Sequence, residues 1–450
     1  MRSDVQTEFA SDPALEDQVL RRAYKRLVTF VFILFVIAFL DRTNIAFAAL
    51  TMNKELKLTA TAFGMAQTIF YAGYFVCEIP STMLLAKFGA RKWIARIMVT
   101  WGIASALTMF ASGANSLYAF RLIVGIAEAG FLPGILLFLT YWFPPSYRAR
   151  ATALLMVGQP VTIMLGSPVS GLILQHVNGV WGIAGWRWLF LLEGLPAIVL
   201  GVVCFFFLTD NPAKANWLTA MEKNAILRRL ERERANQQPK VPKKLLHEVF
   251  GRDIIVLGLI YFCFGVGLTT QSLWSPQIIH GVLKAYSLSS VGVFTAFPAL
   301  CALIATLVWG AHSDKKMERT WHVVLPLALS AIGWLMVAFL AIPAIRMVGL
   351  IFATVGILTA QPIFWTVPPK ILSPAARPVG IASISVCAQI GSSADPLVVG
   401  YLKDLTHGGW IAPLTVVAVI TAVGAALIFL VSTKEAAVAP SALAAAESKN

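Results

Sequence analysis

Apolar stretches of about 20 residues, broken by short polar segments, recur along the whole chain, and each is long enough to cross roughly 30 Å of hydrocarbon as a helix. They predict helices near residues 27–49, 62–85, 93–113, 116–143, 149–175 and 186–209. A second set lies near 253–280, 288–311, 321–341, 346–371, 378–403 and 410–432. These are numbered below as spans 1 to 12. The pattern describes an all-α polytopic membrane protein. Its units are a tail (1–26), a first six-helix bundle (27–209), a polar linker (210–252), a second six-helix bundle (253–432) and a tail (433–450). The linker stretch EKNAILRRLERERA reads as an amphipathic helix that couples the bundles loosely, and equally as a solvated connection.

Two loops repeat at one spacing. Arg91 of FGARKW is echoed by Arg319 of MERTW at an offset of 228 in the numbering, and Arg148 of PPSYRARA is echoed by Arg377 of SPAARPVG at an offset of 229. Two independent pairs agreeing to one position imply a duplicated six-helix unit. An even helix count keeps both copies in the same orientation, which makes the bundles pseudo-symmetric.

Composition and charge narrow the picture. The 450 residues are 58% hydrophobic and 13% charged, which excludes an ordinary soluble domain. A net charge of +14 would suit a nucleic-acid partner, but 27 of the 36 Lys and Arg fall in segments on the side of the N-terminus. That bias places both termini in the cytoplasm and removes nucleic acid as a partner. The first apolar run is too long for a cleaved signal and reads as a retained helix. All five cysteines fall within spans, and the six histidines have no metal-ligand spacing. With no G-x-S-x-G and no H-E-x-x-H, an enzyme is not expected, nor a cofactor or metal. The absence of any N-x-S/T acceptor favours a bacterial source, hence an inner (plasma) membrane location.

Charges inside the spans carry the chemistry. A charged side chain at the bilayer centre costs on the order of 3 kcal/mol, so such residues face a cavity and have a task. They are Asp41 and Arg42 in span 1, Glu78 in span 2, Arg121 and Glu128 in span 4 and Asp395 in span 11, while Arg96 and Glu193 lie nearer span ends. The repeat sets Asp41 and Arg42 opposite Thr269 and Thr270, so the first copy carries the charges and the second carries neutral groups. An arginine in a wet cavity can hold a carboxylate through two parallel donors. A carboxyl beside it can take a proton, which is the chemistry of proton-coupled anion symport. The alternative is a structural role, with Asp41–Arg42 and Arg121–Glu128 as bundle-stabilising pairs. The second copy offers Thr270, Gln271, Ser272, Trp274, Gln361, Trp365, Ser385 and Gln389, and Tyr71, Tyr74 and Glu78 share one face of span 2. Each of these fits packing as well as binding.

FLDRTNIAFA, FGARKW, RLIVGIAEAGFLPG, GSPVSG, GWRWLFLLEGLP, DNPAKANWL and SPAARPVGIA resemble the signatures of the anion:cation symporter family of the major facilitator superfamily, over nearly the whole chain. Within it the chain is similar to bacterial 4-hydroxyphenylacetate permeases and to tartrate, phthalate and aldonate carriers. The resemblance implies the major facilitator fold, alternating access and proton-driven uptake of an organic carboxylate by a monomer in the lipid bilayer, with the proton gradient in place of a cofactor. It implies Arg42 as the main contact to the substrate carboxylate, Asp41 and Glu128 as proton sites, and Arg121 as the partner of Glu128. Tyr74, Gln159 and Trp365 match cavity-lining positions, with Thr270, Trp274, Ser385 and Gln389 as further binding candidates. Arg91, Asp314 and Arg319 match the gating loops. Three features depart from the family. Ser385 stands where many members have asparagine, which favours an aromatic acid over a polyhydroxy one. Glu78 and Asp395 are unexpected: each reads as an extra gate or pore group, or, in slight preference, as an ordinary pair with a loop base, cytoplasmic for Glu78 and periplasmic for Asp395. LLAKFGARK lacks the usual loop aspartate, which HSDKKMER retains as Asp314, so the second copy should latch the inner gate. Exchange, efflux or sensing on the same fold are the competing functions.

Overall fold

In lipid every backbone amide and carbonyl must be satisfied within its own segment, so the apolar runs of this chain have helix as their outlet. The computed structural model describes residues 13–235, 251–283, 286–372 and 376–431. The first twelve residues, the C-terminal tail, Lys284, Pro374 of the repeated loop and part of the linker lie outside the described residues. The helices are α1 (Pro13–Glu55), α2 (Ala60–Phe88), α3 (Ala90–Leu107), α4 (Ala114–Glu128), α5 (Phe131–Trp142), α6 (Pro145–His176), α7 (Gly185–Phe207) and α8 (Ala220–Ala235) in the first half. The second half has α9 (Arg252–Val282), α10 (Leu288–Lys316), α11 (Thr320–Phe339), α12 (Pro343–Phe364), α13 (Pro368–Ile371), α14 (Arg377–Leu405) and α15 (Ile411–Leu427). Among the described residues, eleven helical spans are long and apolar enough to cross a membrane. The twelfth, α14, is 29 residues long, and Ser383, Ser385, Gln389, Ser392, Ser393 and Asp395 set it apart from the rest.

Two spans predicted as continuous are broken. Span 4 stops at Glu128 and restarts at Phe131, because Gly130 takes a left-handed conformation (φ 84°) against Ser81. Span 10 stops after Phe364, ahead of Pro368 and Pro369, which disfavour helix in the residue before them. Conversely, α1 begins at Pro13, well ahead of the expected start at 27. Its early turns bury Val19, Leu20 and Ala23 and receive α8. Ile226 and Leu230 of α8 enter the first-half core, and Arg22 bonds Glu222 at 2.5 Å while Glu16 bonds Arg232. The described part of the linker is thus docked on the first half and is not a free tether.

We call the end where α1 starts proximal and the end at Glu55 distal. One apolar core, Val19 to Leu230, belongs to the first half, and another, Ile254 to Val431, belongs to the second. A third draws on both: Phe47, Phe63 and Trp186 pack there with Trp274, Ile278 and Trp334. The halves therefore share a core at the distal end only. Helix α2 follows the same gradient, with Phe63, Ala66 and Phe70 buried and Val76, Ile79 and Met83 exposed.

The distal seams repeat the internal duplication. Helix α2 packs on α14 where a Cβ at Gly64 would strike the carbonyl of Pro396, and α10 packs on α6 where a Cβ at Gly292 would strike the backbone of Ser167 and Pro168. Gly64 and Gly292 are repeat counterparts by the spacing of the first loop, and Ser167 and Pro396, whose carbonyls they meet, by that of the second. Asp404 accepts from the amides of Ala60 (3.0 Å) and Thr61 (2.7 Å), capping α2 from the opposite half. Gln175, its counterpart in the first copy, accepts from the amide of Leu288 at 3.0 Å and so caps α10 in the same way.

Candidate functional site

Successive residues on a helix point about 100° apart, so Asp41 and Arg42 cannot share one partner. Asp41 faces α3 and is 1% exposed. Its carboxylate accepts from Asn44 Nδ2 (2.9 Å), Trp101 Nε1 (2.8 Å) and Ser105 Oγ. Arg42 faces α2 and α4, where its Nε donates to Glu128 Oε1 at 2.6 Å. Its guanidinium lies 5.0 Å from the Tyr74 ring, 5.5 Å from Phe39 and 5.9 Å from Phe70. The Arg42 side chain keeps 23% of its surface exposed, against 1% for Glu128. A buried carboxylate thus holds a cation that is itself still partly exposed.

Neither pairing suggested by the sequence forms. Arg121 does not pair with Glu128: seven residues span about 10 Å along a helix, and its Nη2 donates sideways to Gln67 Oε1 at 2.7 Å. The guanidinium stacks 4.6 Å from Phe70, which therefore lies between the two arginines. Glu193, near a span end by sequence, does not reach the interface: it is 2% exposed and held by Ser170 at 2.6 Å. Arg96 is half-buried, 4.0 Å over the ring of Trp93. Glu78, one turn from Tyr74, is half-buried within electrostatic reach of Arg42, and no loop base pairs with it among the described residues.

The second half supplies an aromatic wall. Trp365 Nε1 donates to the Tyr261 hydroxyl at 2.9 Å, and Gln361 Nε2 reaches the same oxygen at 3.2 Å. Tyr261 stacks on Phe364 with centroids 5.1 Å apart. Gln159, Ser385 and Gln389 are half-buried, with the Ser385 hydroxyl returned to the Ile381 carbonyl of its own helix. Two binding candidates stand elsewhere. Trp274 is fully buried in the distal core between Phe63 (5.3 Å) and Trp410 (5.8 Å), and so packs in the seal. Thr270 is buried and bonds Asp395 at 2.6 Å, and among the described residues no loop base pairs with that carboxyl.

The gating residues lie in their own halves. Arg319 donates to Asp314 (2.7 Å) and Ser313 (2.6 Å). The first-half loop, short of its usual aspartate, borrows one: Asp210 accepts from the Arg91 amide at 2.9 Å and sits against Gly89, whose φ of 92° and lack of a Cβ make room for it. The Arg91 guanidinium rests 5.2 Å over Phe205. A cavity of about 510 Å³ beside this loop, lined by Phe88, Gly89, Asp210 and Lys214, belongs to the loop lock and not to the central site.

Sequence reasoning does not find Gln67, Trp101, Ser105 and Tyr261. The available signal is weak: Trp101 and Ser105 share a face of span 3 at i, i+4, and Asn44 follows Asp41 at i+3.

A family model described as Major Facilitator Superfamily matches residues 31–396. A protein of Agrobacterium vitis named for tartrate transport is 43% identical over 394 residues, covering 87% of this chain and 90% of its own. NicT of Pseudomonas putida, named for metabolite transport, is 36% identical over 385 residues, covering 85% and 87%. A bacterial homologue of the human lysosomal transporter Spinster, solved inward-facing and occupied, superimposes with a TM-score of 0.72 at 17% identity, covering 91% of this chain and 97% of that one. At that identity it speaks for the fold alone.

Proposed function

The chain belongs to the major facilitator superfamily, and on that premise we propose that it takes up a small organic carboxylate together with protons, by alternating access, across a bacterial inner membrane. One observation carries the reading: Arg42, a partly exposed in-span arginine, is held by a buried carboxylate at 2.6 Å. A substrate carboxylate and Glu128 compete for one guanidinium. Protonating Glu128 removes its charge and frees Arg42 for the anion; losing the proton restores the pair and expels the anion. Binding of anion and proton is thereby linked without any further device. Asp41 is the second proton candidate, acting through the α1–α3 contact and not through Arg42.

The distribution of Lys and Arg supports a cytoplasmic proximal end. A shared distal core with separate proximal cores then corresponds to the inward-open state. The first helix of each seam, capped from the other half, supplies the hinged contact that opens in the outward state.

Two substrate classes divide the observations. The relative named for tartrate transport supports a hydroxylated dicarboxylate. The Tyr261, Phe364 and Trp365 wall supports an aromatic acid. Uptake into proteoliposomes of labelled tartrate, 4-hydroxyphenylacetate, phthalate and galactonate under an imposed pH gradient distinguishes them. Accumulation of one acid that collapses with an uncoupler is the expected result. Accumulation that an uncoupler leaves intact contradicts proton coupling.

A further inference from the structure

One buried carboxyl takes no part in the site above. Asp395 on α14 is 3% exposed. Its Oδ1 accepts from Thr270 Oγ1 at 2.6 Å and its Oδ2 has no hydrogen-bonding partner. It also lies on the seam that must open in the outward state. Two residues before it, the Ser393 carbonyl accepts from Thr68 Oγ1 of α2 at 2.7 Å, and one residue after it, the Pro396 carbonyl is pressed on Gly64. We propose that Asp395 is a further proton-binding group, distinct from Glu128 and Asp41, which must carry its proton for the distal seam between α2 and α14 to close.

Among the described residues no cation is placed to hold an ionised Asp395 in the closed seam. The charged groups of α2, Glu78 and Lys87, lie toward its proximal end. Those of α9 are Arg252, Asp253 and His280 at its two ends, with Tyr261 and Cys263 two turns or more proximal of Thr270. Helix α15 has none. On α14 itself Arg377 is proximal, while Lys403 and Asp404 lie two turns or more distal, Lys403 bonded to Gln277 at 3.2 Å and Asp404 to the Thr61 amide at 2.7 Å. Burying a carboxylate with no cation costs several kcal/mol. The group in this sealed seam is therefore the neutral acid, and its ionisation favours the open seam, where distal water reaches it.

Packing does not demand a carboxyl here. On the spacing of 229 that relates Arg148 to Arg377, the repeat places Gly166 at the equivalent point of the other seam, with Ser167 in the place of Pro396. The Ser167 carbonyl meets Gly292 as that of Pro396 meets Gly64. That seam closes without a carboxyl. The counterpart of Thr270 is Arg42, so each copy carries a different charged function at matching depth. Sealed from the proximal cavity, the Asp395 proton returns to the side it came from. It sets the balance between conformations and adds nothing to the number of protons carried. The inference rests on the alternating-access part of the reading above and not on proton coupling through Glu128.

The test is hydrogen–deuterium exchange of the full-length protein in nanodiscs across a pH series, corrected for intrinsic exchange and read at residues 60–68 and 393–404. In the wild type the opening constant should rise about tenfold per pH unit above the titration. Asp395→Asn should stay protected and flat, and a pH response equal to wild type in that variant overturns the proposal. Protection at residues 254–264 reports that the variant is folded. If it is not, Thr270→Val serves instead: loss of a donor to the carboxylate should move the opening to higher pH, and an unmoved midpoint overturns the proposal. Glu128→Gln separates the two readings. A seam titration that vanishes there and survives in Asp395→Asn assigns the proton to Glu128 and refutes this inference. A transporter without proton coupling whose seam titration is lost in Asp395→Asn upholds this inference while removing the earlier reading.

Discussion

Arg42 and Glu128, far apart in the chain, meet in an ion pair of 2.6 Å that ties the first span to the fourth. The helix carrying Glu128 ends at that residue, and Gly130 turns the chain behind it. The carboxylate is consequently set at a helix break, beside a cation that remains partly exposed.

Removal of the cation should remove substrate binding. Arg42→Ala is expected to lose ligand-induced thermal stabilisation and uptake together. Arg42→Lys keeps the charge but not the planar two-donor fork, and a lost charged hydrogen bond of roughly 1.5–3 kcal/mol predicts about a ten- to hundredfold weaker Kd. Wild-type affinity in either variant, measured by calorimetry, contradicts the role of Arg42.

Fixing Glu128 in its neutral form should separate binding from coupling. Glu128→Gln is expected to bind the anion with little dependence on pH and to perform counterflow exchange, while failing to accumulate it under a pH gradient. Intact accumulation by this variant counts against Glu128 as a coupling group.

The two distal caps should differ in strength. Asp404 offers a charged acceptor to the start of α2, whereas Gln175 offers a neutral one to the start of α10. Hydrogen bonds to charged groups contribute about 1.5–3 kcal/mol against about 0.5–1.5 for neutral ones. Asp404→Ala should accelerate amide exchange at 60–64 more than Gln175→Ala does at 288–292. Equal effects would contradict the assignment of Asp404 as the stronger latch.

The dock between α8 and α1 should weaken in acid. The Thr219 amide and, against a cost of burial, Arg22 hold the Glu222 carboxyl below the usual range. A depressed carboxyl contributes stability above its unfolded value of about 4.3 and loses it as pH falls through the folded value. With side-chain exposures of 54% and 15%, the Arg22–Glu222 pair contributes about 0–1 kcal/mol. Proteolysis of α8 should accordingly rise modestly at low pH, and Glu222→Gln should reproduce the loosening at neutral pH. A cleavage rate independent of pH and of this variant contradicts the clamp.

The spans and their duplication are legible in the sequence, because hydrocarbon thickness fixes the length of an apolar helix and one repeat spacing survives in two loops. The spacings of the two loops recur in contacts no loop motif announces: Gly64 with Pro396 against Gly292 with Ser167, and Asp404 with Ala60 against Gln175 with Leu288. Candidate charges are legible too, since Asp41, Arg42, Arg121 and Glu128 interrupt apolar runs. Their partners are not. Adjacency suggests Asp41 with Arg42, and the helical face suggests Arg121 with Glu128, yet each finds its partner on a different helix. Lateral packing decides those pairs, and sequence spacing carries no record of it. Trp274, a binding candidate by sequence, is enclosed by Phe63 and Trp410 for a related reason: lateral packing settles which rings an aromatic side chain meets.

The central claim is that one guanidinium is shared between Glu128 and the substrate anion. Calorimetric titration of the transported acid in buffers of different ionisation enthalpy counts the protons taken up on binding. At a pH where Glu128 is ionised, the wild type should take up close to one proton per anion bound, and Glu128→Gln none. Binding with no proton uptake by the wild type would contradict the account.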